Sequence, residues 1–236
     1  MSGAPPGLLW GTRKPKDTGV SVVTTAASTD PTGQGAHAAQ AGATRGTWGA
    51  SALYAWATTL FGVIGLFMSG LIMYDKIKLM EDPDFSPACT INDVVSCTDV
   101  MNSGQASAFG IPNPFIGLVG FSVVICIGVA LLAGARFRAW FWYGFLAGLA
   151  FAVGFVHWLA YEALYDIQAL CPYCMVVWAV VLPLFITTVV GIGRARARDR
   201  GDEVTTGASA IFGMPLIVLV VWYLGFLALI LQQFVF

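Results

Sequence analysis

Five cysteines are the side chains in this sequence whose chemistry goes beyond packing and charge: Cys89, Cys97, Cys126, Cys171 and Cys174. Two of them form a Cys-x-x-Cys pair in Leu170-Cys171-Pro172-Tyr173-Cys174-Met175. The pair opens an apolar run, Cys171 to Gly193, that holds no charged residue and is long enough to cross a bilayer. At a helix N-terminus the free N–H groups and the helix dipole favour a thiolate. Pro172 suits the first helical turn, where its missing donor costs nothing. Such a pair can exchange disulfides with other thiols. It can equally be a passive disulfide or two buried thiols, and its surroundings decide between these.

The chain has 236 residues, 57% of them hydrophobic and 11% charged, with a net charge of −1. Its mean hydropathy is +0.75. A soluble domain carries about 25% charge, so this composition describes an integral membrane protein, and no basic surface suggests nucleic acid. The expected fold is all-α: a four-helix transmembrane bundle plus a fifth peripheral transmembrane helix. Residues 1–50 read as a disordered tail, rich in Gly, Ala, Thr and Ser. Residues 51–193 hold the four-helix bundle, with a long polar loop at 75–112. Residues 194–210 form a basic loop, and 211–236 the fifth span. Within the bundle the spans are expected near 53–74, 114–133, 140–160 and 171–193.

Lys and Arg fix the orientation. With the N-terminus in the cytoplasm, ten of the twelve positive charges lie on cytoplasmic segments, and only Lys76 and Lys78 lie outside. Arg194, Arg196, Arg198 and Arg200 are then a topology anchor. This orientation puts Cys89 and Cys97 on the same outer side as Cys171 and Cys174, where disulfides persist. Cys126 falls inside the second span and reads as packing.

The outer loop is too long to be a mere connector. Its segment Asn92 to Met101 has a capping residue and helical apolar spacing, which predicts a short helix on the membrane surface. Cys97 would be held near the membrane and Cys89 on more open chain. Two pairs on one face can pass a disulfide between them, although a staple tying Cys89 to Cys97 is the plainer alternative. A two-electron acceptor that lives in the bilayer is a quinone. His37 and His157 are too few and too far apart for a haem. His157, near the outer end of the third span, could donate to a quinone oxygen or simply reach for head groups. Gly144-x3-Gly148 in that span reads as bundle packing.

These features in this order resemble the vitamin K epoxide reductase family in its bacterial form, over residues 53–193. The resemblance rests on Cys89-x7-Cys97, Ser103 six residues later, Gly110-Ile-Pro-Asn-Pro-Phe-Ile-Gly117 and Cys171-Pro-Tyr-Cys174. It implies that Cys174 reacts with a quinone and that Cys171 exchanges with the loop. It implies further that Cys97 bridges to Cys171 and that Cys89 is the exposed thiol that meets the redox partner. Asn113 matches a quinone-contacting asparagine of the animal enzymes, and Ser103 a serine near the active site. Where the animal enzymes carry a tyrosine, four residues after the second cysteine, this chain has Trp178. Its N–H only donates, at a different reach. Cys171, Cys174 and Trp178 share one helical stripe, with Trp178 about 10 Å deeper than Cys171.

The resemblance implies an enzyme, a quinone-dependent thiol-disulfide oxidoreductase of the bacterial cytoplasmic membrane. It would reoxidise a secreted thioredoxin-fold (DsbA-like) protein and reduce menaquinone or ubiquinone, driving disulfide formation in exported proteins. Relatives often carry a thioredoxin-like domain after the fifth span, and the chain stops at Phe236, so the partner is expected to be a separate protein. Two alternatives are a vitamin K epoxide/quinone reductase of the animal type and a non-catalytic scaffold stapled by disulfides. No metal site is expected.

Overall fold

The computed structural model describes residues 47–82, 84–202 and 213–235. The expected tail therefore lies outside the described residues except for its last four positions, and so does most of the segment after Gly201. Five helices are long and apolar enough to cross a membrane: α1 (Ala52–Glu81), α3 (Asn113–Leu132), α4 (Ala139–Glu162, continued by a π turn to Ile167), α5 (Pro172–Arg200) and α6 (Met214–Phe234). A short α2 (Cys97–Asn102) lies in the loop between α1 and α3. β1 (Thr47–Trp48) pairs antiparallel with β2 (Phe137–Arg138). The protein is an all-α, multi-pass membrane protein.

Small residues bring α1 and α3 together. The buried positions of α1 include Ala55, Thr58, Gly62, Gly65 and Ser69, at three- and four-residue spacing, so one face of the helix carries almost no side chain. A Cβ at Gly65 would collide with the Phe121 ring, and one at Gly128 would lie 2.8 Å from the Thr59 backbone nitrogen. In a membrane, where lipid competes equally for apolar surface, such close approach is what holds helices together. Gly144 and Gly148, expected to do this, do not: a Cβ at either would meet nothing within 4 Å.

Three boundaries differ from expectation. The first helix runs to Glu81, because Asp75, Lys76 and Lys78 continue it past the apolar stretch, so the loop begins at Asp82 rather than at residue 75. The fourth helix continues through Arg194–Arg200 and ends at Gly201, whose φ of 81° makes a left-handed cap; that basic segment is helix, not loop. The helix in the loop is capped by Ser96, whose Oγ accepts from the Asp99 N–H at 3.2 Å. Asn92 Oδ1 instead accepts from the Val94 and Val95 N–H groups at 3.0 and 2.8 Å, turning the chain before the helix starts. Cys126 is an exposed, outward-facing side chain of α3 rather than a packed one.

Pro183 sits inside α5. It has no N–H to give the Ala179 carbonyl one turn earlier, and an unpaired carbonyl in hydrocarbon is costly. The Tyr223 hydroxyl of α6 donates to Ala179 O at 2.6 Å. The fifth helix is thus attached to the fourth at the place where the fourth breaks its own ladder. Otherwise α6 lies at the periphery, with Pro215 its single buried residue.

Candidate active site

The two cysteine pairs meet at one end of the bundle. Val95 forms a parallel bridge with Leu170: the Leu170 N–H donates to Val94 O at 2.7 Å, and the Ser96 N–H donates to Leu170 O at 3.1 Å. One residue after each of these contacts comes a cysteine, Cys97 on the loop and Cys171 before α5. Their sulfurs lie 3.3 Å apart. Cys89 and Cys97 are joined in a disulfide, whereas Cys171 and Cys174 are free thiols. Cys97 and Cys171 are fully buried, in a cluster with Ile72, Leu79, Cys89 and Met101. The loop is tied down elsewhere too. Lys76 Nζ donates to Met101 O at 2.6 Å, and Gln105 Nε2 donates to Glu162 and Asp166 at the end of the third span.

Cys89, expected on open chain, is only 5% exposed. Thr90, beside it, is held by Thr98: the Thr98 N–H donates to Thr90 Oγ1 at 3.1 Å, and the two hydroxyls are 2.9 Å apart. This part of the loop covers Cys89. Short apolar and threonine side chains fold the loop back on itself, which its polar composition did not reveal.

Cys171 is the N-cap residue of α5, and its Sγ accepts from the Cys174 N–H at 3.4 Å. Its thiol is held below the usual thiol value, first by the hydrogen bond from the Cys174 side chain. Burial opposes this, the Cys174 and Tyr173 backbone N–H groups add to it, and the Asp75 carboxylate pushes the other way. The cysteine with the readier thiolate is therefore the one that faces the loop disulfide, the arrangement sulfur exchange needs. Cys174 sits where two apolar clusters join: it packs against the cluster of Cys97 and Cys171 and against that of Phe121, Val156, Trp178 and Phe226.

The remaining candidates fall on the rim and on the fifth helix. Trp178 is 5% exposed and meets Phe226 of α6 edge-on, with ring centroids 5.4 Å apart. His157 has both ring nitrogens occupied: Nδ1 lies 2.7 Å from Val153 O, and Nε2 accepts from Trp222 Nε1 at 2.7 Å. Since Nε2 accepts, Nδ1 carries the proton, and the ring is a neutral anchor for α6. The Asn113 amide is spent largely on the loop, with Oδ1 accepting from the Ala108 N–H at 3.1 Å and Nδ2 donating to Gln105 O at 2.6 Å; one hydrogen and one lone pair stay available. Ser103 Oγ donates to Val100 O at 2.8 Å and closes α2. The sequence reading passed over Asp75, Trp222 and Phe226. Asp75 could have been noticed as the acid among the small and apolar residues of the α1 stripe Ser69, Ile72, Asp75, Leu79; nothing local marked the other two.

The model of the vitamin K epoxide reductase family matches residues 56–189, more than half of the chain. The chain belongs to the vitamin K epoxide reductase family. The match runs from the first turns of α1 into α5 and takes in all four clustered cysteines, leaving α6 outside it. A search of curated proteins gave no match. Members of the vitamin K epoxide reductase family are membrane oxidoreductases of thiols and quinones, and the disulfide and thiol pair found here are the groups such an enzyme uses.

Proposed function

We propose that this protein is a thiol:quinone oxidoreductase that takes electrons from a thioredoxin-fold, DsbA-like partner and passes them to a membrane quinone. The observation that carries this reading is the 3.3 Å separation of Cys97 Sγ and Cys171 Sγ, with a disulfide on one side and free thiols on the other. A stapled scaffold has no use for two pairs within exchange distance. The positive-inside rule supports an orientation with Arg136, Arg138 and Arg194–Arg200 in the cytoplasm and the cysteines outside, as in a bacterial cytoplasmic membrane.

The cycle balances as follows. A partner dithiol attacks Cys89 and breaks the Cys89–Cys97 bond. Freed Cys97 thiolate attacks Cys171 of an oxidised Cys171–Cys174 pair, and Cys174 leaves as a thiolate. The partner's second thiol displaces Cys89 from their mixed disulfide, and freed Cys89 attacks Cys97, restores the loop disulfide and releases Cys171. The partner has become a disulfide, and the inner pair holds two electrons and two protons. The closed Cys89–Cys97 disulfide beside the open Cys171 and Cys174 pair supports this reading. A bound quinone accepts that pair of electrons and two protons, and Cys171 and Cys174 close to a disulfide. The apolar surroundings of Cys174 and Trp178 fit a quinone ring. Asn113 and Ser103 shape the loop that covers the site, and His157 holds the helix beside it.

The test is turnover in detergent with a dithiol and a short-chain quinone, read by quinone absorbance. Cys174→Ala is expected to abolish quinone reduction while Cys89 still exchanges with the dithiol, and to accumulate a Cys97–Cys171 bond. Turnover by that variant at the natural rate would overturn the relay. An inert natural chain, with both pairs unreactive on mass mapping, would favour the scaffold.

A further inference from the structure

The fifth spanning helix turns one stripe toward the bundle. Leu219, Trp222, Phe226 and Ile230 of α6 are half-buried at three- and four-residue spacing, whereas Val221, Leu224 and Leu227 are exposed. The two aromatic members of that stripe continue into the bundle as an unbroken run of rings. Trp222 meets His157 of α4 edge-on, with centroids 5.2 Å apart. It stacks on Phe226 at 5.2 Å, with the ring planes 12° apart. Phe226 in turn meets Trp178 of α5 edge-on at 5.4 Å. The far end of the run is fixed, because Trp222 Nε1 donates to His157 Nε2 at 2.7 Å. The near end lies at the inner thiol pair. Trp178 is four residues after Cys174 on the same helix, one turn below it. Cys174, Trp178 and Phe226 all belong to one apolar cluster.

We propose that α6 is a working part of the quinone site: Phe226 is a positioning residue that holds the Trp178 indole one turn below Cys174. The inference rests on the quinone reading above and extends it to a helix outside the matched segment, residues 56–189. Trp178 is only 5% exposed, and without α6 the side of its ring that meets Phe226 would border lipid. Lipid tails offer an indole no fixed contact. A ring held edge-on by another ring keeps one orientation, and such a pair gains energy beyond the area it buries. Electron transfer from Cys174 needs the quinone held in one place against the sulfur, and small displacements of the groups that hold a substrate are costly. The stacked Trp222, pinned by His157, keeps Phe226 itself from swinging outward.

The test follows turnover of the full chain in detergent as the short-chain quinone is varied at saturating dithiol. Phe226→Leu loses the ring and keeps apolar bulk, and it is expected to raise the KM for quinone about fivefold with the KM for dithiol unchanged. Phe226→Tyr keeps the ring and is expected to keep the natural KM. Tyr223→Phe removes a different attachment of α6, the bond to Ala179 O, and is expected to leave both constants in place. A second readout needs no turnover: with the inner pair reduced, the short-chain hydroquinone should protect Cys174 from alkylation by N-ethylmaleimide, scored at that residue by mass mapping. The half-protecting concentration is expected to rise in Phe226→Leu by the same factor as the KM. An unmoved quinone KM and unmoved protection in Phe226→Leu would overturn the proposal. An equal rise in Tyr223→Phe would also overturn it, by showing that any loosening of α6 has the same effect. A natural chain that neither reduces quinone nor is protected by hydroquinone would overturn the quinone reading and this inference together; a natural chain that does both, with Phe226→Leu unchanged, would remove only the role of α6.

Discussion

Tyr223→Phe deletes one oxygen, and the structure says what that oxygen does. Pro183 leaves Ala179 O without its helical donor, and the Tyr223 hydroxyl fills the gap at 2.6 Å. With phenylalanine at 223 the carbonyl faces hydrocarbon unpaired. An unpaired polar group of this kind costs about 1–3 kcal/mol, and measured interhelical bonds in membranes fall nearer the low end, so the expected loss is about 1 kcal/mol. The argument makes a sharper demand of the second background. Pro183→Ala restores an N–H to Ala179 O, so in that background Tyr223→Phe should cost close to nothing. The coupling in the double-mutant cycle is then about 1 kcal/mol. Reversible unfolding in mixed detergent micelles, followed by far-UV circular dichroism, measures all four proteins. Equal losses in the two backgrounds would refute the idea that Tyr223 replaces a missing helical bond.

Trp222→Phe and His157→Phe each leave one partner of a 2.7 Å bond unpaired. Each should destabilise by about 1 kcal/mol, and the double variant by no more than either alone; the same unfolding measurement checks this. Gly65→Ala should destabilise by about 1–3 kcal/mol, because its Cβ meets the Phe121 ring. Gly144→Ala should be neutral or slightly stabilising, since its Cβ meets nothing. Thr90→Val removes the hydroxyl that accepts from the Thr98 N–H and should speed reaction of Cys89 with a small dithiol about fivefold, from about 1 kcal/mol of lost loop closure. With the inner pair reduced, the lowered folded value of Cys171 means the unfolded chain binds more protons between that value and the ordinary thiol one. Stability should therefore rise with pH across that window and fall away below it. Cys171→Ser should flatten the rise, which a pH series of unfolding curves would show.

Much of this protein is written locally. Apolar runs of spanning length and the near-absence of charge within them dictate five membrane helices, because a bilayer leaves the backbone no other way to satisfy its polar groups. The Cys-Pro-Tyr-Cys run at the head of one such helix marks the thiol pair, since a helix terminus carries its own donors and needs no distant partner. The boundaries at Glu81 and Arg200 were not legible, because a helix can continue into water once it has left the apolar layer. The meeting of Cys97 and Cys171 was decided by the bridge between Val95 and Leu170, two backbone segments 75 positions apart with no side-chain signature. Burial of Cys89, the bond from Trp222 to His157 and the Tyr223 hydroxyl on Ala179 O are likewise facts about neighbours. Gly144-x3-Gly148 has the spacing of a packing motif and Gly62 and Gly65 do not, yet the second pair makes the contact. Spacing on one helix says which residues share a face, and only the fold says what that face meets.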